Sequence, residues 1–223
     1  MKHLAFGDIH GHAQATARAV ALAEEHEAIA VFLGDYVDRG PSNMAVLEIL
    51  MYAQSRHPDW IFLRGNHDQM LLDLIAGRDH PEGFDERTRE EAYAEWQAAP
   101  EPFRSNIVQF LESTSLCHET EQHIFVHAPL KEDGLALHDK AAYDLVWNYD
   151  LEPAWQGKPF VHGHLPVNEA EFVPGRINVN TSCGYGGFLT GVSLDLGTGC
   201  VLGIYTISEE GAILDQPADR MGA

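Results

Sequence analysis

Eight short apolar runs, rich in Val, Ile, Leu and Phe, punctuate the chain at residues 3–6, 29–33, 60–63, 123–127, 159–162, 176–180, 191–195 and 201–206. Their length and composition predict buried strands. Between the first two lies an Ala-rich stretch, residues 12–28, that lacks Pro and Gly and ends near a solvated Glu24-Glu25 pair; this pattern predicts a helix. Pro41 opens a second helix, where its missing N–H costs nothing, and Met44, Leu47, Leu50 and Met51 supply the apolar stripe. A third helix is expected over 69–76, stopped by Gly77. An opening of this β-α-β-α-β kind implies a parallel sheet with right-handed crossovers, whose ligand sites lie beyond the carboxyl ends of the strands.

The texture changes at residue 78. From 78 to 121 the chain is polar, carries Pro81, Pro100 and Pro102, and contains two helical patterns around 86–96 and 103–111. It reads as a helical insertion between sheet elements. The last fifty residues predict paired strands, with turns at Gly184-Tyr185-Gly186-Gly187 and Gly197-Thr198-Gly199, and an irregular tail after Ser208. At 223 residues the chain can build one substantial core, so a single domain over 1–223 is expected.

Charge narrows the choice of partner. With 34 acidic and 14 basic residues the formal net charge is −20, a surface that repels nucleic-acid phosphates and anionic lipid. Neither nucleic acid nor membrane is therefore expected as a partner. Cys117, Cys183 and Cys200 are widely spaced, with no C-x-x-C, and read as reduced thiols. No apolar run approaches the roughly 18 residues of a spanning helix. The chemistry-bearing residues begin at Gly7, which leaves no room for a signal peptide and makes a cytoplasmic location the expectation.

Five islands concentrate Asp, His and Asn at the ends of these apolar runs: Gly7-Asp8-Ile9-His10-Gly11, Gly34-Asp35-Tyr36-Val37-Asp38-Arg39-Gly40, Arg64-Gly65-Asn66-His67-Asp68, Val126-His127-Ala128 and Val161-His162-Gly163-His164. Asp8 and His10 are two apart at a strand end, so an extended backbone turns both side chains to one face, as suits a pair of ligands for one cation. Asp35 adds a carboxylate, which can bridge two metals where a neutral imidazole cannot. Asn66, His127 and His164 are neutral ligands of a second kind. The mixture of hard oxygen and borderline nitrogen suits Mn²⁺, Fe or Zn²⁺ better than Ca²⁺ or Mg²⁺ alone. His67 is adjacent to Asn66 and free to face a substrate if Asn66 turns to the metal; a protonated imidazole oriented by Asp38 is a general acid. Arg39 presents a planar fork suited to phosphate oxygens.

Over residues 3–195 these motifs, in this order, resemble those of the phosphoprotein phosphatase branch of the calcineurin-like metallophosphoesterases, particularly its short bacterial and phage-type members. The resemblance implies an α/β sandwich of two mixed β-sheets flanked by helices (αββα). It implies two divalent cations, Mn²⁺ first, with Asp8 and His10 on one, Asn66, His127 and His164 on the other, and Asp35 between them. It also implies His67, Asp38 and Arg39 as the catalytic group, and Arg39, Asn66 and His67 against the substrate phosphate. The implied activity is hydrolysis of phosphomonoesters, with phosphorylated serine or threonine of a protein as substrate, by in-line attack of a dimetal-bound hydroxide. Small phosphorylated metabolites or dinucleoside polyphosphates are the alternative, weighed down because hydrolases of the latter usually depart from Gly-Asp-x-His-Gly and Val-Asp-Arg-Gly, both intact here. A non-catalytic protein-binding scaffold is the remote alternative, since such a protein is expected to have lost His67 or a ligand.

Departures from the family pattern are informative. His127 is followed by Pro129-Leu130 where relatives commonly carry Gly, and Leu165 replaces the Thr of Gly-His-Thr-Pro. His162, two residues before His164, is the understudy for that ligand. Trp147-Asn148-Tyr149 stands where phage-type relatives read Trp-Asn-Arg, so Tyr149 takes the position of a phosphate-gripping Arg, with one hydroxyl and no charge. Arg104 and Arg176 are the candidate substitutes, and Arg64 divides between phosphate contact and a structural ion pair.

Overall fold

The structure, a computed structural model, describes residues 1–78 and 86–216. In chain order the first half runs β1 (Lys2–Phe6), α1 (Ala13–Glu25), β2 (Ile29–Phe32), α2 (Asn43–Arg56), β3 (Ile61–Phe62), α3 (Asn66–Ile75), α4 (Glu86–Ala98) and α5 (Phe103–Ser113). The second half runs β4 (Cys117–Glu119), β5 (Ile124–Val126), α6 (Ala142–Trp147), β6 (Phe160–His162), β7 (Glu171–Val173), β8 (Arg176–Asn178), β9 (Leu189–Asp195), β10 (Val201–Ile207) and β11 (Ile213–Gln216).

These strands form two mixed sheets. One has the order β11-β10-β9-β1-β2-β3, in which β1, β2 and β3 are parallel and β9, β10 and β11 extend it antiparallel. The other has the order β4-β5-β6-β8-β7, with β5, β6 and β8 parallel and an antiparallel strand on each flank. The period-2 alternation of β1 explains the layering. Leu4 and Phe6 point to one side, where Phe32 and Phe62 stack beside them and Ala19, Leu22, Val46, Leu47 and Leu50 of α1 and α2 close the layer. Ala5 points to the other side and joins Val31, Leu33, Leu63, Val192 and Leu194 against Phe125, Val161 and Val179 of the second sheet. Ile124, Val126 and Phe160 cover the far face of that sheet, under Leu130 of the following loop and Leu145 of α6. Each such large side chain, fully buried, contributes roughly 1.5–3 kcal/mol. The result is the expected α/β sandwich flanked by helices.

Three short strands were not legible as apolar runs: β4, β7 and β11, each polar at alternate or terminal positions. Part of the segment expected to be an irregular tail is therefore β11, paired with Ile204–Ile207 of β10; residues 217–223 lie outside the described residues. Within the expected insertion, α4 and α5 are helices that pack against α2 and α3, while residues 79–85, including Pro81, lie outside the described residues. Helix α2 starts after Ser42, two residues later than Pro41 suggests. Helix α3 starts at Asn66 with Gly65 as its N-cap, three residues earlier than expected, so Asn66 and His67 sit on a helical first turn. No helix among the described residues is long and apolar enough to cross a membrane.

Candidate metal centre

The carboxyl ends of β1, β2, β3, β5 and β6 meet where the two sheets face each other, and each hands one loop of the five polar islands to the same place. Asp35 occupies the middle. Its Oδ2 lies 3.6 Å from His10 Nε2, and its Oδ1 lies 3.4 Å from His127 Nε2. Asp8 stands beside the first of these, with Oδ2 3.9 Å from His10 Nε2. On the other side, Asn66 Oδ1 lies 3.0 Å from His127 Nε2 and 2.9 Å from His164 Nδ1. Two buried donor groups result, His10 with Asp35 and His67, and Asp35 with His127 and His164, each gathered within 4.8 Å; Asp35 is common to both.

Tautomers decide whether these groups can hold cations. His10 Nδ1 is 2.9 Å from the Val37 carbonyl and His127 Nδ1 is 2.9 Å from the Leu33 carbonyl. A carbonyl only accepts, so both Nδ1 atoms carry the proton and both Nε2 lone pairs face the cluster. His127 Nε2, Asn66 Oδ1 and Asp35 Oδ1 thus bring three lone pairs together, with Asp35 Oδ2 and His10 Nε2 facing each other across the second group. Arg39 bonds His10 Nε2, and a proton on His164 Nδ1 can serve one of Asn66 Oδ1 and His127 Nε2. The clustered acceptors still outnumber the donors offered to them, and the residues present fit a dinuclear metal site. Second contacts hold the ligands: Asp8 accepts from the His164 backbone N–H (3.0 Å) and from Asn180 Nδ2 (2.6 Å). Gly65 and Gly163 permit the close approach, because a Cβ on either would strike the carboxylate of Asp35 or Asp8.

The electrostatics agree. Burial, then the charge of Asp35, lifts Asp8 to about 7, and burial lifts Asp35 to about 7. Burial holds the imidazoles of His10 and His127 below their usual value and takes His164 down to about 2. Carboxylates destabilised as anions and imidazoles kept neutral are what a cation would compensate.

His67 and Asp38 form the second constellation. His67 Nδ1 is 2.6 Å from Asp38 Oδ2, and the His67 ring meets the His10 ring edge-on at 4.9 Å. Burial, followed by the nearby His10 and Arg39, keeps the His67 imidazole well below its usual value, while burial and then the charge of Asp35 raise Asp38 to about 8. The pair shares one proton between two groups that are both disfavoured as ions. The Arg39 guanidinium touches His10 Nε2 and lies 4.5 Å over the ring of Tyr185. Tyr149 follows α6 and packs its ring 4.5 Å from that of His164, with 57% of its surface exposed. Tyr185, on the Arg39 side, is 63% exposed.

Some expected residues are placed elsewhere. His162 turns its Nδ1 to the Gly163 carbonyl and its Nε2 to Arg176, away from Asn66 and His127. Arg176 is paired with Glu171, and Arg104 with Glu101 over the Trp96 ring, so neither substitutes for the missing Arg. Arg64 is structural: its three nitrogens bond Thr114, Gln69 and the last carbonyls of α5.

Other residues matter that the motifs did not single out by role. Asp68, fully buried, accepts the backbone N–H of Asp35 (2.8 Å), Tyr36 (2.9 Å) and Gly65 (2.9 Å). Asn43 Oδ1 accepts the Asp38 N–H at 2.7 Å. These bonds restrain a backbone in which His10, Asp35, Asp38, Arg39 and His164 all adopt positive φ, between 47° and 72°. Non-glycine residues in that region store of the order of 1–2 kcal/mol each. An acid three residues after a helix-capping Gly was the one sequence cue to Asp68; Asn43 and Asn180 had none.

Comparison with known proteins assigns the family. The model of the calcineurin-like phosphoesterase family matches residues 1–194, and the chain belongs to that family. Among curated proteins it resembles the asymmetrical bis(5'-nucleosyl)-tetraphosphatase PrpE of Bacillus mycoides, 28% identical over 183 residues that cover 72% of this chain and 73% of that protein. The enzyme of the same name from Bacillus cereus is also 28% identical, over 184 residues. Among solved structures, one described provisionally as a diadenosine tetraphosphatase superposes with a TM-score of 0.65 at 18% identity, covering 93% of each chain. A serine/threonine phosphatase of Saccharomyces cerevisiae gives 0.59 at 18%, covering 98% of this chain and 82% of that one. These structural likenesses speak to the fold. The chain is thus a metallophosphoesterase, a hydrolase of phosphoric esters.

Proposed function

We propose that this calcineurin-like phosphoesterase hydrolyses small nucleotide substrates, bis(5'-nucleosyl) polyphosphates first, at a dinuclear centre held by Asp8, His10, Asp35, Asn66, His127 and His164. The observation that carries the reading is the rim. Where a phosphoprotein phosphatase of the phage type has a guanidinium, this chain offers the half-exposed ring of Tyr149 over His164, and on the other side the exposed ring of Tyr185 under Arg39. Aromatic faces stack on bases at about 1–3 kcal/mol each. The names of the curated relatives point the same way and move the weight from phosphoprotein, expected first from the motifs, to the dinucleotide.

Two divalent cations, Mn²⁺ first, supply an activated water and neutralise charge on the phosphoryl oxygens when bound. The chain's own residues do the rest. Arg39, braced on Tyr185, grips phosphoryl oxygens with its fork. Tyr149 keeps its phenol protonated, because burial and then the charge of Asp35 raise its pKa, and so donates one hydrogen bond at the rim. His67, its Nδ1 fixed on Asp38, gives a proton to the leaving oxygen. Since burial disfavours its imidazolium, His67 takes that form only against the negative charge of a bound phosphate.

One observation favours the second reading, a serine/threonine phosphoprotein phosphatase. The buried His67–Asp38 pair serves best a poor leaving group such as an alkoxide, and a nucleotide needs it less. The two readings separate in a direct comparison of kcat/KM for bis(5'-adenosyl) tetraphosphate, a phosphoserine peptide and p-nitrophenyl phosphate, using metal-reconstituted protein. Two aromatic contacts of the stated strength favour the dinucleotide by about 5- to 150-fold for each base engaged. A phosphopeptide turned over more efficiently than the dinucleotide would reverse the assignment.

A further inference from the structure

A chain of hydrogen bonds leaves the catalytic pair and ends on the helical insertion. Asp38 holds His67 Nδ1, the Asp38 N–H is held by Asn43 Oδ1 at 2.7 Å, and Asn43 Nδ2 donates to Glu95 Oε1 of α4 at 2.8 Å. The other oxygen, Glu95 Oε2, accepts the Met44 N–H in the first turn of α2 at 3.2 Å. Asn43 is fully buried, so its amide has no water to turn to. With its Nδ2 committed to Glu95, its Oδ1 must face Asp38, and the flipped amide would set an N–H against an N–H.

The restraint acts where the backbone most needs one. Asp38 and Arg39 are consecutive non-glycine residues with φ of 72° and 68°. Left alone, such a pair relaxes toward negative φ, which would swing the Asp38 carboxylate away from His67 and the Arg39 guanidinium away from Tyr185. The neighbouring Ser42 N–H bonds the Gly11 carbonyl at 3.0 Å and ties the far end of the same loop to the His10 strand end. Nothing else among the described residues fixes the orientation of the Asn43 amide.

We infer that Glu95 is a positioning residue for proton transfer: from the insertion helix α4 it orients Asn43, which locks the Asp38–Arg39 turn and so aims His67 at the leaving group. The inference rests on the reading of His67 as proton donor. It gives the insertion a role in the chemistry, since a displacement of α4 reaches His67 through three hydrogen bonds. The Glu95 carboxylate bonds Asn43 and Met44 and none of the proposed ligands.

The test uses the metal-loaded protein and three variants, Glu95→Ala, Glu95→Gln and His67→Asn, with p-nitrophenyl phosphate as the activated substrate and phenyl phosphate as the unactivated one. Glu95→Ala is expected to lower kcat on phenyl phosphate about tenfold and on p-nitrophenyl phosphate less than threefold, with KM and metal content unchanged. Glu95→Gln keeps an acceptor for Asn43 Nδ2 by giving up the one for the longer bond from the Met44 N–H, 3.2 Å, and is expected to recover most of the loss; it also serves if the Ala variant folds poorly. A second readout is independent of turnover and uses the protein loaded with diamagnetic Zn²⁺: the downfield Nδ1–H proton resonance of His67, identified by its loss in His67→Asn, shifts or broadens in Glu95→Ala and returns in Glu95→Gln. Equal losses on both substrates in Glu95→Ala, while His67→Asn discriminates between them, overturn the inference. So does an unchanged His67 resonance. If His67→Asn itself shows no discrimination, the proton-donor reading fails, and the resonance alone then decides whether Glu95 and His67 are coupled.

Discussion

Stripping the divalent cations should leave a protein that loses stability as the pH rises from 6.5 to 8, and returning Mn²⁺ should stabilise it most at the upper end. Asp8 and Asp35 are both raised to about 7, far above the roughly 3.9 of an unfolded aspartate. Through this window the folded chain therefore binds more protons than the unfolded one, and stability falls as they leave. A group held near 7 contributes a loss of about 0.8 kcal/mol between pH 6.5 and 8, so the two ligands together account for about 1.5 kcal/mol. Asp38 and Asp68, each raised to about 8 by burial, act in the same direction. The depressed histidines His10, His67, His127 and His164 oppose this up to about pH 7.5, because the unfolded chain still takes up protons that the folded one refuses. Together they offset about 1.5 kcal/mol across the window; Asp38 and Asp68 more than restore it, so a net loss of at least about 1.5 kcal/mol remains. For a chain of this length about 1.5 kcal/mol is about 3–6 °C in Tm. Bound cations hold the carboxylates ionised and release protons on binding, which makes their stabilisation grow with pH. Scanning calorimetry of chelated and Mn²⁺-loaded protein at pH 6.5 and 8 reads both effects. A chelated protein with a higher Tm at pH 8, or a gain on adding Mn²⁺ that is no larger at pH 8, would refute the reasoning.

Asp35→Asn should deplete both metal positions, because Asp35, alone among the described residues, is common to both groups; elemental analysis showing near-full double occupancy would remove the bridging role. Asp68→Asn keeps an acceptor for the Asp35 and Gly65 N–H groups but loses the one for Tyr36, at a cost of about 1.5–3 kcal/mol, or a Tm lower by about 3–12 °C, with metal affinity down by about 10- to 100-fold in a titration. Tyr149→Ala should raise KM for bis(5'-adenosyl) tetraphosphate by about 5- to 150-fold while leaving KM for p-nitrophenyl phosphate within about threefold; equal effects on both would mean that the ring does not meet a base. Tyr149→Arg should instead tighten inhibition by inorganic phosphate, and weaker inhibition in a folded, metallated variant would place Tyr149 away from the phosphate.

The two sheets were legible because their central strands are short, apolar and followed by loops of distinctive residue type. Strands β4, β7 and β11 escaped notice because each is three or four residues long and interrupted by polar residue types, so that it takes its conformation from a neighbour and not from its own pattern. The start of α3 was misjudged for a related reason. Gly65 and Asp68 cap that helix through contacts with Asp35, and no local rule places a helix N-terminus against a loop thirty residues earlier.

The proposed ligands and their supports differ in how they announce themselves. Asp8, His10, Asp35, Asn66, His127 and His164 are recognisable by chemical type at strand ends, often beside a glycine that lets another segment approach. Asp68, Asn43 and Asn180 are ordinary polar residues whose meaning lies in the partner: Asn180 bonds a carboxylate 172 residues away, and Asp68 the backbone of residues 32 and 33 positions earlier. Yet the supports hold the positive-φ turns at His10, Asp35, Asp38, Arg39 and His164, and without those turns the ligand types would not converge. Strain of about 1–2 kcal/mol per residue is offset by buried, charge-assisted bonds of about 1.5–3 kcal/mol each. Substitutions at Asp68 and Asn180 should therefore disorder the centre before they remove a single ligand, whereas the replacement of Glu95 on α4 should disturb only the aim of His67 and leave the metal content unchanged.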